Sequence, residues 1–388
     1  MANARPSDLA AIFILDSGTE PGTLFLLLLL VLTGTSTALA KEQLPFPLTA
    51  RTIEEFVPTD WTILEKAEGD LNGDNQPDVV LALAPDSTED EEADRSRWLL
   101  IAFREGKIWR RSIVSDQAIL CRNCGGVFGD PFAGVRIERG SVVVEHYGGS
   151  AWRWAITDRF RWQQGQWVRI GNTTASFHTF EPDDVEQLDV NLLTGFAEEQ
   201  TNREKGSKTL SFFQIRAGKS TSSPNLDGII SASEWPGTSV ILKSQADIVS
   251  GRSGWRGKDD LSARLGALVV GKILYLRAEI TDDQVTAKES VHLISSNREV
   301  IKPTSSQTKT VPGGYVFEAA YPLSLLTSDS NPEITVPLQL RVSIEVVDSD
   351  PDEKTATILS TSRGGQTYPA MIYVTEKPGP EILEELAK

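Results

Sequence analysis

The residues best suited to chemistry in this 388-residue chain are the oxygen-bearing side chains of one short run, Asp70-Leu71-Asn72-Gly73-Asp74-Asn75-Gln76-Pro77-Asp78. Side-chain oxygens at positions 1, 3, 5 and 9 of a single loop converge on a hard cation, and the backbone carbonyl at position 7 completes much of its shell. The expected metal set is Asp70, Asn72, Asp74, Gln76 through its carbonyl, and Asp78, with calcium in a structural role. Asn75 suits the sixth position, because that turn takes a residue tolerant of left-handed backbone. The run lacks the distal bidentate glutamate of an EF-hand and leads into the apolar stretch Val79–Leu83 instead of a helix. The other reading is an Asx-rich turn without metal.

The remaining reactive side chains are few. The only two cysteines sit together as Cys121-Arg122-Asn123-Cys124. In an oxidising compartment such a pair forms a disulfide, a local clamp closing a very small loop. A thioredoxin-type role needs a helix start within a βαβ unit, and Gly125-Gly126 follows here instead. Half a zinc site is weaker still, with no second cysteine pair to complete it. His146, His178 and His292 are scattered through different segments. No Gly-x-Ser-x-Gly elbow, HExxH, phosphate-binding glycine loop or nucleophile–base pair is present, so no catalytic residue is assigned and the chain reads as a non-enzyme.

Compartment follows from the first 40 residues. Residues 24–32 are wholly apolar, and Ala38-Leu39-Ala40 offers the small residues a signal peptidase admits, which sets cleavage after Ala40. The preceding segment carries Arg5 against Asp8, Asp16 and Glu20, an acidic start for a leader. The alternative is an uncleaved membrane anchor, although the apolar run is short for a spanning helix. The expected location is the periplasm or extracellular space. Of 38 basic and 54 acidic side chains, one and three lie in the leader, so the mature chain carries a net charge of −14. That sign repels phosphate backbones and anionic lipid, which excludes nucleic acid and a lipid surface as partners.

The elements that must position these residues are strands. Val79–Leu83 and Trp98–Phe103 are short apolar runs bounded by polar or turn residues. Val135–Ile137 and Val142–Val144 flank Arg139-Gly140 as a hairpin, and a second hairpin turns at Gln163–Gln166. Trp152, Trp154 and Ile156 alternate onto one face, a stripe that reads first as packing and second as a stacking surface. Leu188–Leu192, Ser262–Val270, Leu274–Ile280, Tyr315–Ala320, Leu338–Val347 and Ala370–Val374 continue the pattern, while Pro380–Ala387 is read as a helical turn or two. Glu89-Asp90-Glu91-Glu92 reads as a solvated loop. The fold class is therefore all-β. The division expected is a leader at 1–40, an N-terminal antiparallel β domain at 41–216, a small, polar, proline-ended linker at 217–223, and a β-sandwich at 224–388.

Three resemblances refine this. The strand-leading Asp-x-Asn-x-Asp-x-x-x-Asp loop resembles that of FG-GAP/VCBS-type repeats, in which it binds calcium; here it occurs once. Cys121-x-x-Cys124-Gly125-Gly126, Gly129-Asp130-Pro131-Phe132 and His146-Tyr147-Gly148-Gly149-Ser150 resemble segments of uncharacterised exported bacterial proteins. The third resemblance rests on a succession of motifs that begins with Asp227-Gly228-Ile229-Ile230, Glu234-Trp235 and Asp260–Arg264. Leu274–Asp283, Gly313–Pro322 and Val347-Asp348-Ser349-Asp350 complete it. This succession, over residues 224–376, resembles the family 9 carbohydrate-binding modules and related DOMON-like β-sandwiches. It implies a sandwich in which calcium braces the fold, with Asp227, Asp282, Asp283, Asp348 and Asp350 as available carboxylates, and Trp235 as a core plug.

The chain departs from those sugar binders in one respect. They clamp a glycan between two tryptophans, and this chain has no aromatic residue in Gln284–Glu289 and only Tyr368 near the second place. Trp255 and Tyr368 are the candidate ligand-binding pair. Haem held by Met371 and His292, as in some DOMON-like domains, is the minor alternative. The function expected is glycan binding by a non-catalytic exported protein; the alternative is a structural or protein-interaction role without a sugar ligand.

Overall fold

Strands fill the chain from Thr49 to Thr375, and the helical segments among the described residues are three-residue 3-10 turns. The computed structural model describes residues 45–86, 96–203, 206–327, 337–351, 354–363 and 371–386. The leader, Glu89–Glu92 and Tyr368 lie outside the described residues. All the described residues belong to one compact unit, Gln43–Lys388.

The first sheet comprises β1 (Thr49–Ala50), β2 (Trp61–Gly69), β3 (Asp78–Pro85), β4 (Trp98–Glu105) and β5 (Ile108–Ser115), in the order β1-β5-β4-β3-β2. Its interior strand β3 is buried from Asp78 to Ala84 because both faces are covered. Val79, Leu81 and Leu83 pack with Phe56, Leu100 and Trp109 on one side. Val80 and Ala82 meet Leu99, Val142, Val144 and Trp167 on the other. That is why the sequence here is a continuous apolar run and not an alternation.

An antiparallel meander follows: β6 (Phe132–Glu138), β7 (Ser141–Gly149), β8 (Trp152–Gln163), β9 (Gln166–His178), β10 (Glu181–Asn191), β11 (Phe196–Arg203) and β12 (Gly206–Ser220). Both hairpins expected from the sequence form. Arg139 and Gly140, at φ 50° and 68°, and Gln164 and Gly165, at 51° and 80°, supply the paired positive φ that a two-residue turn with right-handed twist requires.

The remaining strands are β13 (Val240–Leu242), β14 (Ile248–Ser250), β15 (Leu261–Val270), β16 (Ile273–Asp282), β17 (Ser290–Ser295), β18 (Val300–Ile301), β19 (Ser305–Val311), β20 (Gly314–Pro322), β21 (Leu338–Asp348), β22 (Thr357–Ser360) and β23 (Met371–Thr375). One sheet runs β13-β15-β16-β20-β19, with β12 and β23 added beyond the far end of β15. The other runs β14-β22-β21-β17-β18. Strand β21 serves both, pairing with β23 over Leu338–Arg341 and with β17 beyond. Between the sheets lies one core that includes Leu274, Leu276, Ala278 and Ile280 of β16, Phe317 of β20, Leu293 of β17 and Val346 of β21.

Two stretches differ from their sequence reading, for physical reasons. Residues 217–220, at the head of the expected linker, are the end of β12: Gly218 pairs with Leu268 of β15 and with Thr375 of β23. A Cβ on Gly218 would stand 2.0 Å from Pro378 Cα, so the small residues there serve close packing, not flexibility. The segment 381–386, read as helical, is extended, because its backbone N–H groups are taken by neighbouring strands. Leu383 N donates to Trp167 O at 2.8 Å and Leu386 N to Val114 O at 2.7 Å.

Candidate functional site

The apolar interior of the sandwich ends, at one rim, on oxygen. Register pairs Ile280 of β16 with Tyr315 of β20, so both face inward, and Asp282 is the next inward position of β16. In the opposite sheet Ser290 pairs with Val347, and the next step of that register sets Glu289 opposite Asp348. Asp348 continues the inward row Ile344, Val346 of β21, and Glu289 precedes the inward Val291 and Leu293 of β17. Four inward positions from two facing sheets therefore carry three carboxyls and a phenol.

One carboxylate oxygen from each of Asp282, Glu289 and Asp348 lies within 4.8 Å of the other two. Asp282 and Asp348 are each 2% exposed and Tyr315 is 3% exposed. Asp282 Oδ1 accepts the Gln284 N–H at 2.8 Å and Glu289 Oε1 the Thr286 N–H at 2.5 Å. The Tyr315 hydroxyl is buried without a hydrogen-bond partner among the described residues, and the second oxygens of Asp282 and Glu289 are buried with no partner there beyond the hydrogen bond the two carboxyls share. Burial first, then the Asp282 carboxyl beside it, pushes Glu289 up to about 8. Burial raises the Tyr315 phenol above its ordinary range, and the neighbouring carboxylates Glu289, Asp282 and Asp348 add to the shift. Such a set suits a hard cation by donor type.

Immediately outside this group stands a second one in which the cation is a side chain. Asp260, Asp283 and Asp350 likewise bring carboxylate oxygens within 4.8 Å of one another. Arg256 Nε donates to Asp260 Oδ1 at 2.7 Å, and its terminal nitrogen reaches Asp350 Oδ2 at 2.7 Å and both Asp283 oxygens at 3.5 Å. Asp260, through its hydrogen bond and charge, raises the Arg256 guanidinium further above its ordinary value. Arg256 and Asp283 are about half exposed while Asp260 and Asp350 are buried, so the group opens to solvent on one side only. Trp255 precedes Arg256; its indole N–H donates to Leu261 O at 2.9 Å and its ring, half-buried, packs on the core. Its expected companion Tyr368 is outside the described residues.

The Asp70–Asp78 loop folds around its own carboxylates. Asp70 accepts N–H groups of Gly73 at 2.7 Å and Asn75 at 2.9 Å; Asn72 Oδ1 accepts Asp74 N at 3.0 Å, and Asp74 Oδ1 accepts Gln76 N at 2.7 Å. Asp78 is fully buried and accepts Leu71 N at 2.8 Å and Arg104 N at 2.9 Å. Asn75 takes φ 64°, the left-handed geometry expected of it. The Gly73 N–H, first among the backbone donors, holds Asp70 below its ordinary range, whereas burial pushes Asp78 up.

Other sequence candidates fall elsewhere. The Cys121 and Cys124 sulfurs stand 2.10 Å apart, with Cα atoms separated by 5.2 Å. His146 is buried, and its Nε2 accepts the Leu120 N–H at 3.1 Å. His292 Nε2 lies 2.8 Å from Ser290 Oγ. Of the aromatic stripe, Trp154 and Ile156 are half-buried but Trp152 is 64% exposed, with the His178 ring 5.1 Å away and Phe180 beyond it. Trp235 is buried and donates its indole N–H to Glu318 at 3.0 Å.

Glu289, Tyr315, Arg256 and Asp260 were not assigned as site residues by the sequence reading. The signal that reaches Glu289 is the alternation itself: continued one step past Ile280, Val291 and Val346, the inward rows end on Asp282, Glu289 and Asp348.

No protein-family model matches the chain, and no curated protein matches it. One solved structure it is similar to is a family 9 carbohydrate-binding module from Caldicellulosiruptor kristjanssonii in complex with glucose. The two share 14% identity with a TM-score of 0.29, over 42% of this chain and 96% of that one. A likeness at that level carries no functional argument.

Proposed function

We propose that the chain is an exported, non-catalytic binding protein that takes a carbohydrate at the Trp255–Arg256 rim of its sandwich, with calcium in the Asp70–Asp78 loop as a structural element. The observation that carries this reading is the Arg256 group. A guanidinium held among Asp260, Asp283 and Asp350, open to solvent on one side, presents fixed donors and acceptors to vicinal hydroxyls. Planar, charged hydrogen-bonders beside an indole are the composition of a sugar site, where the polar groups set orientation and the ring takes an apolar face. Export rests on the leader sequence, and Cys121–Cys124 suits an oxidising compartment.

The test is binding of the mature chain to a panel of soluble glycans and peptidoglycan fragments, with and without calcium. Binding to one class, weakened about tenfold or more in Arg256→Ala because a charge-assisted pair worth roughly 1.5–3 kcal/mol is lost, is the expected result. Absence of binding across the panel would sink the reading. A second reading, a protein-interaction role without sugar, is favoured by one observation: Trp152 and Phe180 project together into solvent, 64% and 87% exposed.

A further inference from the structure

We propose that the Cys121–Cys124 disulfide is a thiol–disulfide exchange site, and that the apolar tip beside it, Val127, Phe128, Trp152 and Phe180, seats a cysteine-bearing polypeptide segment with apolar side chains. The proposal rests on the protein-interaction reading of Trp152 and Phe180 and is independent of any sugar ligand.

The first ground is that the fold does not depend on this disulfide. The bond joins residues three apart, so it constrains the unfolded chain far less than one closing a long loop. The turn it joins is also held by other contacts. Gly125 N donates to Gly129 O at 3.0 Å, Gly149 N to Gly125 O at 2.8 Å, and Leu120 N to His146 Nε2 at 3.1 Å. Just beyond, Arg97 grips Asp130 through two hydrogen bonds of 2.7 and 2.6 Å. Packing is close as well: a Cβ on Gly125 would stand 2.2 Å from Gly129 O. These contacts keep the turn in place when the sulfurs part, as reversible exchange requires.

The second ground is access. Cys124 is exposed and Cys121 half-buried, so an incoming thiolate meets the Cys124 sulfur first. Arg122, exposed between the two, is a positive charge in a strongly acidic chain; it favours thiolates, the part a helix start plays in a thioredoxin-type site. Val127 and Phe128 follow within four residues of Cys124, 88% and 48% exposed. The Phe128 ring lies 4.9 Å from the Arg153 guanidinium, and Arg153 adjoins Trp152, which meets His178 and then Phe180 across the next turn. These apolar side chains thus share one end of the meander. An exposed apolar tip marks a partner's surface, and its place beside an accessible disulfide points to a partner that brings thiols.

The exchange balances as a two-electron step. A substrate thiolate attacks Cys124 Sγ, forming a mixed disulfide and releasing the Cys121 thiolate. The substrate's second thiolate then attacks its own sulfur in the mixed disulfide and releases the Cys124 thiolate. The substrate dithiol leaves oxidised to a disulfide, and its two protons end on Cys121 and Cys124, which are left reduced. The exchange is stoichiometric, one disulfide given for each one formed.

The test sets the oxidised full chain against a dithiol peptide with aromatic flanking residues, beside the same peptide with serine flanks. Single-turnover exchange is followed by acid quenching, alkylation of free thiols and mass spectrometry. The aromatic peptide is expected to react about tenfold faster, as for burial of an aromatic contact. The double variant Trp152→Ser, Phe180→Ser, changed only at exposed positions, should lose that preference. In Cys121→Ser, Cys124 should capture the peptide as a lasting mixed disulfide when the peptide is supplied joined to glutathione. The reduced chain should keep its cooperative melting transition. The proposal is overturned if neither peptide exchanges, if the two react at equal rates, or if reduction abolishes the melting transition and so makes the disulfide a structural clamp. Binding of a cysteine-free aromatic peptide without exchange by the dithiol form would overturn the exchange and leave the protein-interaction reading standing.

Discussion

Trp235 donates its indole N–H to Glu318 in a 3.0 Å hydrogen bond that is buried at both ends. The same carboxylate accepts the backbone N–H of Asp227 at 3.0 Å and of Gly228 at 2.7 Å. Glu318 lies on the outward face of β20, so this one side chain fastens the entry segment of the sandwich across the back of a sheet. The Arg277 guanidinium lies 5.9 Å from the Trp235 ring and closes the other side.

Glu318→Ala should therefore destabilise the protein by about 3–5 kcal/mol, the cost of leaving buried partners of a charged group unsatisfied. Glu318→Gln should cost less but still measurably, because its amide nitrogen turns a donor toward N–H groups. Urea denaturation followed by tryptophan fluorescence measures both. Equal, small losses for the two variants would show that the segment is held by packing alone.

His146 gives a pH dependence with a defined sign. Burial lowers its pKa from the ordinary 6.5, opposed by the charges of Asp158 and Asp130 and reinforced by that of Arg97. Its Nε2 accepts the Leu120 N–H, which only the neutral ring can do. A depressed folded-state value means that the stability contribution is intact above pH 6.5 and is lost as pH falls through the folded value. The melting temperature should fall on acidification below neutrality, with a slope from this one group of at most about 1.4 kcal/mol per pH unit. In His146→Gln, whose amide oxygen accepts the same N–H, that part of the slope should vanish. An unchanged slope would move the cause to other groups.

Strand identity was legible in the sequence wherever a sheet has one wet face and one dry face, as along Leu274, Leu276, Ala278 and Ile280. The all-β class and both glycine-turned hairpins followed from such local signals. What was not legible depends on contacts distant in the chain. Gly218 reads as linker because small residues suit both flexible and crowded backbone, and only Pro378, far along the sequence, decides between them. Asp282, Glu289 and Asp348 become one group only through the register of two sheets. Arg256 looks like a surface charge until Asp260, Asp283 and Asp350 surround it.

Gly218 supplies the next test. Alanine there would drive a methyl group into the Pro378 backbone, which cannot move aside as a flexible side-chain end would. Gly218→Ala should lower stability by about 1–3 kcal/mol, the range for overpacked sites. The same change in the middle of a true linker would be neutral or slightly stabilising. Differential scanning calorimetry separates the two, and a melting temperature equal to or above the parent's would return residues 217–223 to the status of a linker.

The Asp70–Asp78 loop carries one accessible and one buried carboxylate whose roles can be separated. Asp74 accepts the Gln76 N–H and is accessible, whereas Asp78 is buried and supports β3 and β4 through Leu71 and Arg104. Asp74→Ala without calcium should thus cost only about 0.5–1.5 kcal/mol, one exposed hydrogen bond's worth. Asp78→Ala should cost more with or without calcium, because it orphans two backbone donors at the root of the first sheet. If the loop holds calcium, the stabilisation of RT ln(1 + [Ca]/Kd) from that site is lost in Asp74→Ala, and the calcium-dependent rise in melting temperature shrinks accordingly. A calcium-dependent rise undiminished in Asp74→Ala would assign the loop to the metal-free Asx turn, whose internal hydrogen bonds already account for its shape.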